Sequence, residues 1–227
     1  MAEESGLILA ILGAESTGKT TLARDLAARL GDATGLTCTV VPEHLREWCE
    51  RNGRTPRLEE QASIADEQRR RIEAAAQSHE LVVADTTALQ IAVYSRLVFG
   101  DRSLDKPSGR WHAQRVAQTL VTALDLPWVA DGLQRDGVHV REPVDSALRE
   151  LLAAHRIAWS RIAGSGEDRV EAALDAVAPL LRAHATPRRG LFTRLDARDA
   201  AQRDWQWTCD CDVPDCEHAL RARGRLP

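Results

Sequence analysis

Short apolar runs alternate with longer segments in which apolar residues recur every three or four positions. The runs at 7–12, 36–41, 81–84, 119–124 and 157–162 are typical of strands buried on both faces of a sheet. Segments 57–79 and 167–184 have the spacing of amphipathic helices, and a further helix through Leu22 is expected to end at Gly31. This alternation predicts an α/β protein with a mostly parallel sheet flanked by helices.

A sheet of this kind binds ligands beyond the carboxyl ends of its strands. We therefore expect the binding and catalytic residues in the loops that follow Leu12, Val41, Ala84 and Leu124. After residue 184 the periodicity is lost while Arg, Asp and Cys accumulate. We expect one domain over residues 1–184 and a small Cys-rich appendage over residues 185–227.

Composition narrows the classes of partner. The 227 residues are 44% hydrophobic and 28% charged, with a formal net charge of -4, so no basic excess predicts a nucleic-acid partner. No apolar run approaches the roughly 18 residues of a membrane span. The acidic N-terminus lacks the positive charge of a secretory signal, and the five cysteines suit a reducing compartment, so we expect a cytoplasmic protein. The oligomeric state stays open.

Residues 13–20 read GAESTGKT, the P-loop pattern, between a predicted strand and a predicted helix. In such loops backbone amides cradle phosphates, the lysine (here Lys19) reaches the outer phosphates, and the hydroxyl (here Thr20) ligates Mg²⁺. Only one other lysine, Lys106, occurs in a chain that otherwise uses arginine. The full motif in this setting disfavours a turn that serves packing alone, so we expect ATP and Mg²⁺ as ligands.

Carboxylates follow two other predicted strands. Asp85 stands where P-loop proteins place a group that orients the metal or accepts a proton; the alternative is that it caps the next helix. Glu43 follows the strand that ends at Val41, and Arg46 lies one turn later. We expect Glu43 and Arg46 to grip sugar hydroxyls and an anionic group.

Four segments together resemble the kinase domain of the NadR-type ribosylnicotinamide kinases. They are GAESTGKTTLA at 13–23, VPEHLREW at 41–48, ADTTAL at 84–89 and LPWVADGLQRDG at 126–137, and the resemblance covers residues 7–183. It implies a P-loop kinase-like fold and transfer of the γ-phosphoryl group of ATP to the 5′-hydroxyl of a nucleoside. In the family this nucleoside is nicotinamide riboside, which places the reaction in NAD biosynthesis.

The resemblance also implies roles for single residues. Asp85 would be the base or metal orienter beside the acceptor, and Glu43 would hold the acceptor and take part in catalysis. The residues that would hold the phosphates and Mg²⁺ are Gly13, Glu15, Ser16, Thr17, Gly18, Lys19, Thr20 and Thr21.

In the family, the sequence Asp-Gly-Leu is followed by an arginine that leads into a lid. The corresponding DGL core of this chain is residues 131–133. This chain has Gln134 at the position of the arginine, so Arg135 or Arg141 would neutralise charge on the transferring phosphate, and the choice between them stays open. Asp131 of the DGL core and Arg46 would contact the substrate.

The aromatic clamp of the family is a second departure, because Pro42 and Glu73 stand where relatives offer rings for the pyridinium. Trp48, Trp111 and Tyr94 are the available substitutes, unless they are core residues. Another nucleoside-like vitamin therefore stays open as the acceptor. So does a regulatory P-loop ATPase whose tail binds a partner through a metal.

Two sets of polar residues are not assigned a functional role from the sequence. We interpret the arginine-rich stretch 68–71 as a solvated helix face, and isolated histidines such as His112 as surface or cap residues.

The C-terminal appendage holds a cluster of potential metal ligands. Cys209, Cys211, Cys216 and His218 lie within ten residues and form the ligand set of a structural zinc site. Their spacing requires one short loop to wrap the ion, so a reduced acidic tail without metal is the alternative.

We predict about one equivalent of structural zinc in the purified protein, because thiolates with one imidazole match zinc better than magnesium or calcium. Chelation should expose residues 185–227 to protease while sparing the P-loop domain. Elemental analysis and limited proteolysis measure both effects. Absence of zinc in protein purified without chelator, or unchanged metal content in Cys211→Ser, would contradict the prediction.

Overall fold

Five parallel strands form one sheet in the order β2-β3-β1-β4-β5. The structure, a computed structural model, describes residues 5–129 and 137–182. The strands are β1 (Leu7–Leu12), β2 (Cys38–Val41), β3 (Leu81–Asp85), β4 (Gln118–Thr122) and β5 (Trp159–Ile162). The predicted parallel sheet flanked by helices is confirmed.

Seven α-helices are present in the described ranges. They are α1 (Lys19–Thr34), α2 (His44–Asn52), α3 (Leu58–Ser78), α4 (Ala88–Phe99), α5 (Asp105–Arg115), α6 (Arg141–Ala154) and α7 (Gly166–Leu181). A single 3-10 turn, Val138–Val140, leads into α6.

The central strand β1 is apolar throughout because it is covered on both faces. Ile8 to Leu12 are all fully buried. In register, Leu7 lies opposite Leu81 and Ile11 opposite Asp85, while Leu12 lies opposite Val121 on the other side. The chain end of β1 therefore sits between the ends of β3 and β4, and the loop at residue 13 starts in the middle of the carboxyl edge.

Apolar clusters attach the helices to this sheet. Ile8 and Val82 pack with Ile72 of α3 and Trp111 of α5. Leu12 packs against residues of α4 and α6, including Leu148. Trp111 is thus a core residue, 8% exposed, and its indole N–H donates to Glu73 Oε1 at 2.6 Å.

Element boundaries differ from the predicted ones at several points. Helix α1 does not stop at Gly31 but continues to Thr34; Gly35, with φ 73°, ends it and donates its N–H to the Gly31 carbonyl at 2.8 Å. Strands β2 and β5 begin two residues later than their apolar runs, and β4 ends at Thr122. Single backbone bonds continue beyond these bounds, since the Leu81 N–H donates to the Thr37 carbonyl at 3.1 Å and the Ala123 N–H to the Ile162 carbonyl at 2.8 Å.

Two polar features differ from the surface interpretation, the first of them only in part. Gln68 of α3 is fully buried and Arg71 pairs with Glu47 at 2.6 Å, whereas the two arginines between them are exposed as expected. His112 is also fully buried, with its ring nitrogens 3.0 Å from Thr87 Oγ1 and 2.8 Å from Thr119 Oγ1. Burial lowers the pKa of His112 to about 4, so the imidazole is neutral at pH 7 and serves as a hydrogen-bonded link.

Several predicted features lie outside the described residues. These are the appendage at 185–227 with its cysteine and histidine cluster, and two candidate site residues, Asp131 and Arg135. Within the described ranges, no helix is long and apolar enough to cross a membrane.

Candidate functional site

The loop between β1 and α1 packs closely against Thr122, the last residue of β4. Gly13 has a φ of 147°, and a Cβ on it would lie 2.1 Å from Thr122 Oγ1, so only glycine fits. Thr17 Oγ1 donates to the Ala14 carbonyl at 2.8 Å and lies 2.7 Å from the same Thr122 oxygen. Gly18, with φ 75°, begins α1 without a side-chain cap. The loop is thus held in a fixed curve that ends at a helix N-terminus.

Two candidate site residues, Lys19 and Thr20, begin α1, and their side chains make different contacts. Lys19 Nζ donates to the Ala14 carbonyl at 2.7 Å, which folds the lysine back over the loop. Thr20 Oγ1 donates to Asp85 Oδ2 at 2.5 Å. The predicted hydroxyl and carboxylate therefore meet, although 65 residues separate them.

Asp85 ends β3 and is 1% exposed. The alternative role as a helix cap is wrong, because the cap of α4 is Thr87, whose hydroxyl accepts the Leu89 N–H at 3.3 Å. Among the described residues, nothing hydrogen-bonds the second carboxylate oxygen of Asp85, Oδ1. A hydroxyl and a carboxylate with a spare oxygen are the kind of ligands that Mg²⁺ prefers, so the pair fits that ion.

A groove lies over the loop, with a volume of about 540 Å³. We call it the loop groove. Ser16 fixes one side, since its hydroxyl accepts the Val129 N–H at 2.8 Å. Its lining residues are Ser16, Thr17, Gly18, Lys19, Thr20, Thr21, Arg24, Arg46, Leu126, Pro127 and Val129.

A second cavity of about 520 Å³ lies between α2, α3 and α4. We call it the side cavity. Lys19 and Arg46 line both the side cavity and the loop groove, so the two spaces meet at these cations. The remaining lining residues are Glu15, Glu43, Leu45, Cys49, Arg54, Thr55, Pro56, Arg57, Gln61, Tyr94, Val98 and Phe99.

The side cavity combines carboxylates with an aromatic wall. Glu43 Oε2 lies 3.9 Å from Arg46 Nε, and its side chain is 10% exposed. Burial, followed by the charges of Glu15 and Glu43, raises the pKa of Tyr94 well above its usual value. The tyrosine hydroxyl therefore stays protonated beside two carboxylates, in a wall that also includes Phe99.

The aromatic residues considered from the sequence have different places. Tyr94 lines the side cavity, whereas Trp111 is in the core. Trp48 lies under the Arg54 guanidinium, 4.9 Å from ring centroid to carbon, and Arg54 also holds Glu60 through two bonds of 2.6 and 2.7 Å. Arg54 lines the side cavity, whereas Trp48 packs against the apolar cluster that contains Leu45.

Arg141, one of the two candidate lid arginines, is the first residue of α6 and is 6% exposed. Its Nη1 donates to the carbonyl of Leu126, a residue of the loop groove wall, at 2.9 Å. Within the described ranges, its Nε and Nη2 have no hydrogen-bond partner. Arg141 is thus a buried cation behind the groove wall.

Gln68 is a site residue that the sequence interpretation missed. Its Oε1 accepts the His44 N–H at 2.7 Å, and its Nε2 donates to Pro42 O at 3.3 Å and to Thr86 O at 3.4 Å. Thr86 has a φ of 72°, a strained value for a β-branched residue. One buried amide therefore holds the Glu43 segment against the Asp85 segment. Its position in the apolar stripe of α3, between Ile64 and Ile72, is a signal that could have found it.

Comparison with known proteins places this architecture. A family model described as an AAA domain matches residues 8–169. The chain belongs to this AAA domain family. No curated protein sequence matches it significantly.

Solved structures share the fold of this AAA domain. A crystal structure of NadR protein in complex with NR has a TM-score of 0.64 at 21% identity, over 82% of this chain and 53% of that one. NadR protein in complex with NAD and AMP-PNP has a TM-score of 0.63 at 22% identity, over 77% of this chain and 49% of that one. A thymidylate kinase from Ehrlichia chaffeensis has a TM-score of 0.53 at 13% identity, over 78% of this chain and 99% of that one. The resemblance to NadR-type proteins is confirmed at the level of the fold, and the chain spans about half the length of the NadR chains.

We predict that Gln68→Leu lowers the free energy of unfolding by about 2–3 kcal/mol, because three backbone groups lose their buried partner. Denaturant unfolding measures the change. Arg69→Gln, on the exposed face of the same helix, is the control and should stay within about 0.5 kcal/mol of wild type. Equal stability of Gln68→Leu and Arg69→Gln would contradict this role.

Proposed function

We propose that this AAA domain protein is a kinase that transfers the γ-phosphoryl group of ATP to the 5′-hydroxyl of a nucleoside, with nicotinamide riboside as the acceptor. The observation that carries the proposal is the junction of the loop groove with the side cavity at Lys19 and Arg46. Phosphates in the groove and a nucleoside in the cavity would meet between two cations. The similarity to the fold of NadR proteins supports the choice of acceptor.

In this proposal the loop amides and Lys19 bind the phosphates, and Lys19 offsets charge that develops on the transferring group. Lys19 would exchange its bond to the Ala14 carbonyl for phosphate oxygens. Thr20 and Asp85 would hold Mg²⁺, which when bound neutralises part of the phosphate charge. Arg141 would supply a second cation from behind the Leu126 wall.

On the acceptor side, Glu43 and Arg46 would hold the sugar and orient its hydroxyl toward the groove. Asp85, at the adjacent strand end, would accept the hydroxyl proton or orient the metal. The carboxylates of Glu15 and Glu43 beside Tyr94 and Phe99 suit a flat cationic ring, since such a ring is attracted to both carboxylates and aromatic faces.

The competing function is a regulatory ATPase in which nucleotide drives a conformational switch. A switch needs no acceptor cavity beside its phosphates, so the side cavity favours the kinase. The two functions are separated by supplying ATP with nicotinamide riboside, ordinary nucleosides or thiamine-like alcohols and measuring product mass. The kinase predicts a phosphorylated acceptor together with ADP, whereas ADP formation with every acceptor unmodified would support the switch.

We predict that Lys19→Ala removes nearly all phosphoryl transfer and leaves the fold intact, because the half-buried lysine contributes charge at the transferring group and little to the core. Turnover and circular dichroism measure the two effects. Lys106→Ala, which changes the only other lysine of the sequence, an exposed residue of α5, should retain wild-type turnover. Near-wild-type turnover of Lys19→Ala would refute the hypothesis that the protein transfers a phosphoryl group.

We predict that Asp85→Asn lowers turnover by roughly two orders of magnitude or more while ATP still binds, since a general base or metal orienter contributes on that scale. Steady-state kinetics and a nucleotide-binding titration measure this split. Asp66→Asn, on an exposed turn of α3, is the matched control. Loss of nucleotide binding in Asp85→Asn would mean that this carboxylate is structural.

A further inference from the structure

The arginine Arg169 occupies a position in α7 where a cation is costly. It lies in the first turn of the helix, where the helix dipole disfavours positive charge, and it is 4% exposed. A buried guanidinium destabilises a fold unless hydrogen bonds and a counter-charge compensate it. The partners of Arg169 therefore show what this position accomplishes.

The guanidinium of Arg169 joins three loops at the carboxyl edge of the sheet. Its Nη2 donates to the Thr17 carbonyl at 2.8 Å and to the Ala123 carbonyl at 3.4 Å. Its Nη1 donates to Asp125 Oδ1 at 2.9 Å and to the Gly164 carbonyl at 2.6 Å. Asp125 in turn accepts the Gly164 N–H at 2.7 Å through its other oxygen. The loop after β1 is thus fastened to the loops after β4 and β5.

The bond to Thr17 fixes the direction of one peptide group. In a planar trans peptide the C=O and the following N–H point in opposite directions. Because the Thr17 carbonyl is turned to Arg169, the N–H of Gly18 is turned away from it. Thr17 and Gly18 both line the loop groove. The guanidinium therefore sets the orientation of an amide at the place where the loop meets α1.

We propose that Arg169 is a positioning residue for nucleotide: by holding the Thr17 carbonyl, it presents the Gly18 N–H to the phosphates, and through Asp125 it fixes the groove wall at the same time. The assignment rests on the proposed binding of ATP in the loop groove. Arg169 contacts no reacting atom in this account. Its effect falls on nucleotide affinity and not on the acceptor in the side cavity.

Lysine cannot replace arginine at this point. A guanidinium presents several N–H donors in a fixed fork, whereas an ammonium is a single point charge on a flexible chain. Lysine would keep a charge opposite Asp125 but would not hold Thr17 and Gly164 in the same geometry. The conservative substitution Arg169→Lys thus separates orientation of the loop from neutralisation of Asp125.

Arg29 of α1 offers a matched control, because it also contacts the start of α7. It pairs with Glu167 and, at 2.7 Å, with Glu171. Its side chain is 35% exposed and it does not line the loop groove. Arg29→Gln loosens the contact between α7 and α1 while leaving the bond to the Thr17 carbonyl in place.

The test measures binding of a non-hydrolysable ATP analogue by calorimetry for the full-length wild type, Arg169→Lys, Asp125→Asn and Arg29→Gln, with thermal unfolding of each. We expect Arg169→Lys to lower the affinity for the analogue about ten-fold, which is the size of one lost hydrogen bond from a charged group.

Two further measurements separate the nucleotide from the acceptor. In turnover assays of Arg169→Lys, the KM for ATP should rise while the KM for nicotinamide riboside stays unchanged. Amide exchange in the peptide that covers residues 13–20 should accelerate. Asp125→Asn should shift affinity in the same direction, and Arg29→Gln should bind as wild type does.

Wild-type affinity in both Arg169→Lys and Asp125→Asn would overturn the assignment, and so would an equal loss in Arg29→Gln. If Arg169→Lys fails to fold, Asp125→Asn decides the question by the same binding measurement. Binding of the analogue by wild type without any phosphorylated acceptor would refute the kinase and leave the positioning role intact. No binding by wild type would overturn both.

Discussion

The parallel pairing of β1 with β3 is the contact on which the site depends. Its register sets Ile11 against Asp85, so the strand that leads into the glycine-rich loop ends beside the strand that carries the carboxylate. The bond of 2.5 Å between Thr20 and Asp85 follows from that register. Since successive side chains on a strand point to opposite faces, a shift of one residue would turn Asp85 away and separate the pair.

Buried polar groups then fix the loops that the sheet only brings near one another. Gln68 holds the strand ends at residues 42–44 and 86, and Arg169 holds the loops after β1, β4 and β5. His112, neutral because burial lowers its pKa to about 4, links Thr87 to Thr119. The partners of each group lie far away in sequence, so each one ties local loop geometry to the packing of a distant helix. Thr86, whose φ of 72° is strained, is held by one of these bonds, from Gln68 to its carbonyl.

The sequence allowed much of the fold and part of the site to be predicted, for physical reasons that differ between residues. The loop at 13–20 is a local motif, and Asp85 follows an apolar run, so both were found from neighbours in the chain. Gln68, His112 and Arg169 were not, because burial of a polar side chain is decided by partners far away in sequence. The sequence indicates Glu43, Arg46 and Tyr94 as possible contacts of the acceptor, and all three line the side cavity. It does not indicate Phe99 and Val98, since they join the cavity from α4 through tertiary packing. Glycine often ends a helix, which is why the sequence predicts an end at Gly31, yet Gly35 supplies the left-handed conformation four residues later.

We expect the loop groove and the side cavity to be the donor and acceptor sites of one reaction. A crystal structure of the protein with a non-hydrolysable ATP analogue and nicotinamide riboside would show both sites occupied. The phosphates should lie along residues 13–20 and the nucleoside between Glu43 and Tyr94, with the γ-phosphate facing the 5′-hydroxyl at the junction formed by Lys19 and Arg46. A nucleoside bound away from the side cavity, or its 5′-hydroxyl turned away from the γ-phosphate, would show that the two spaces do not serve one reaction.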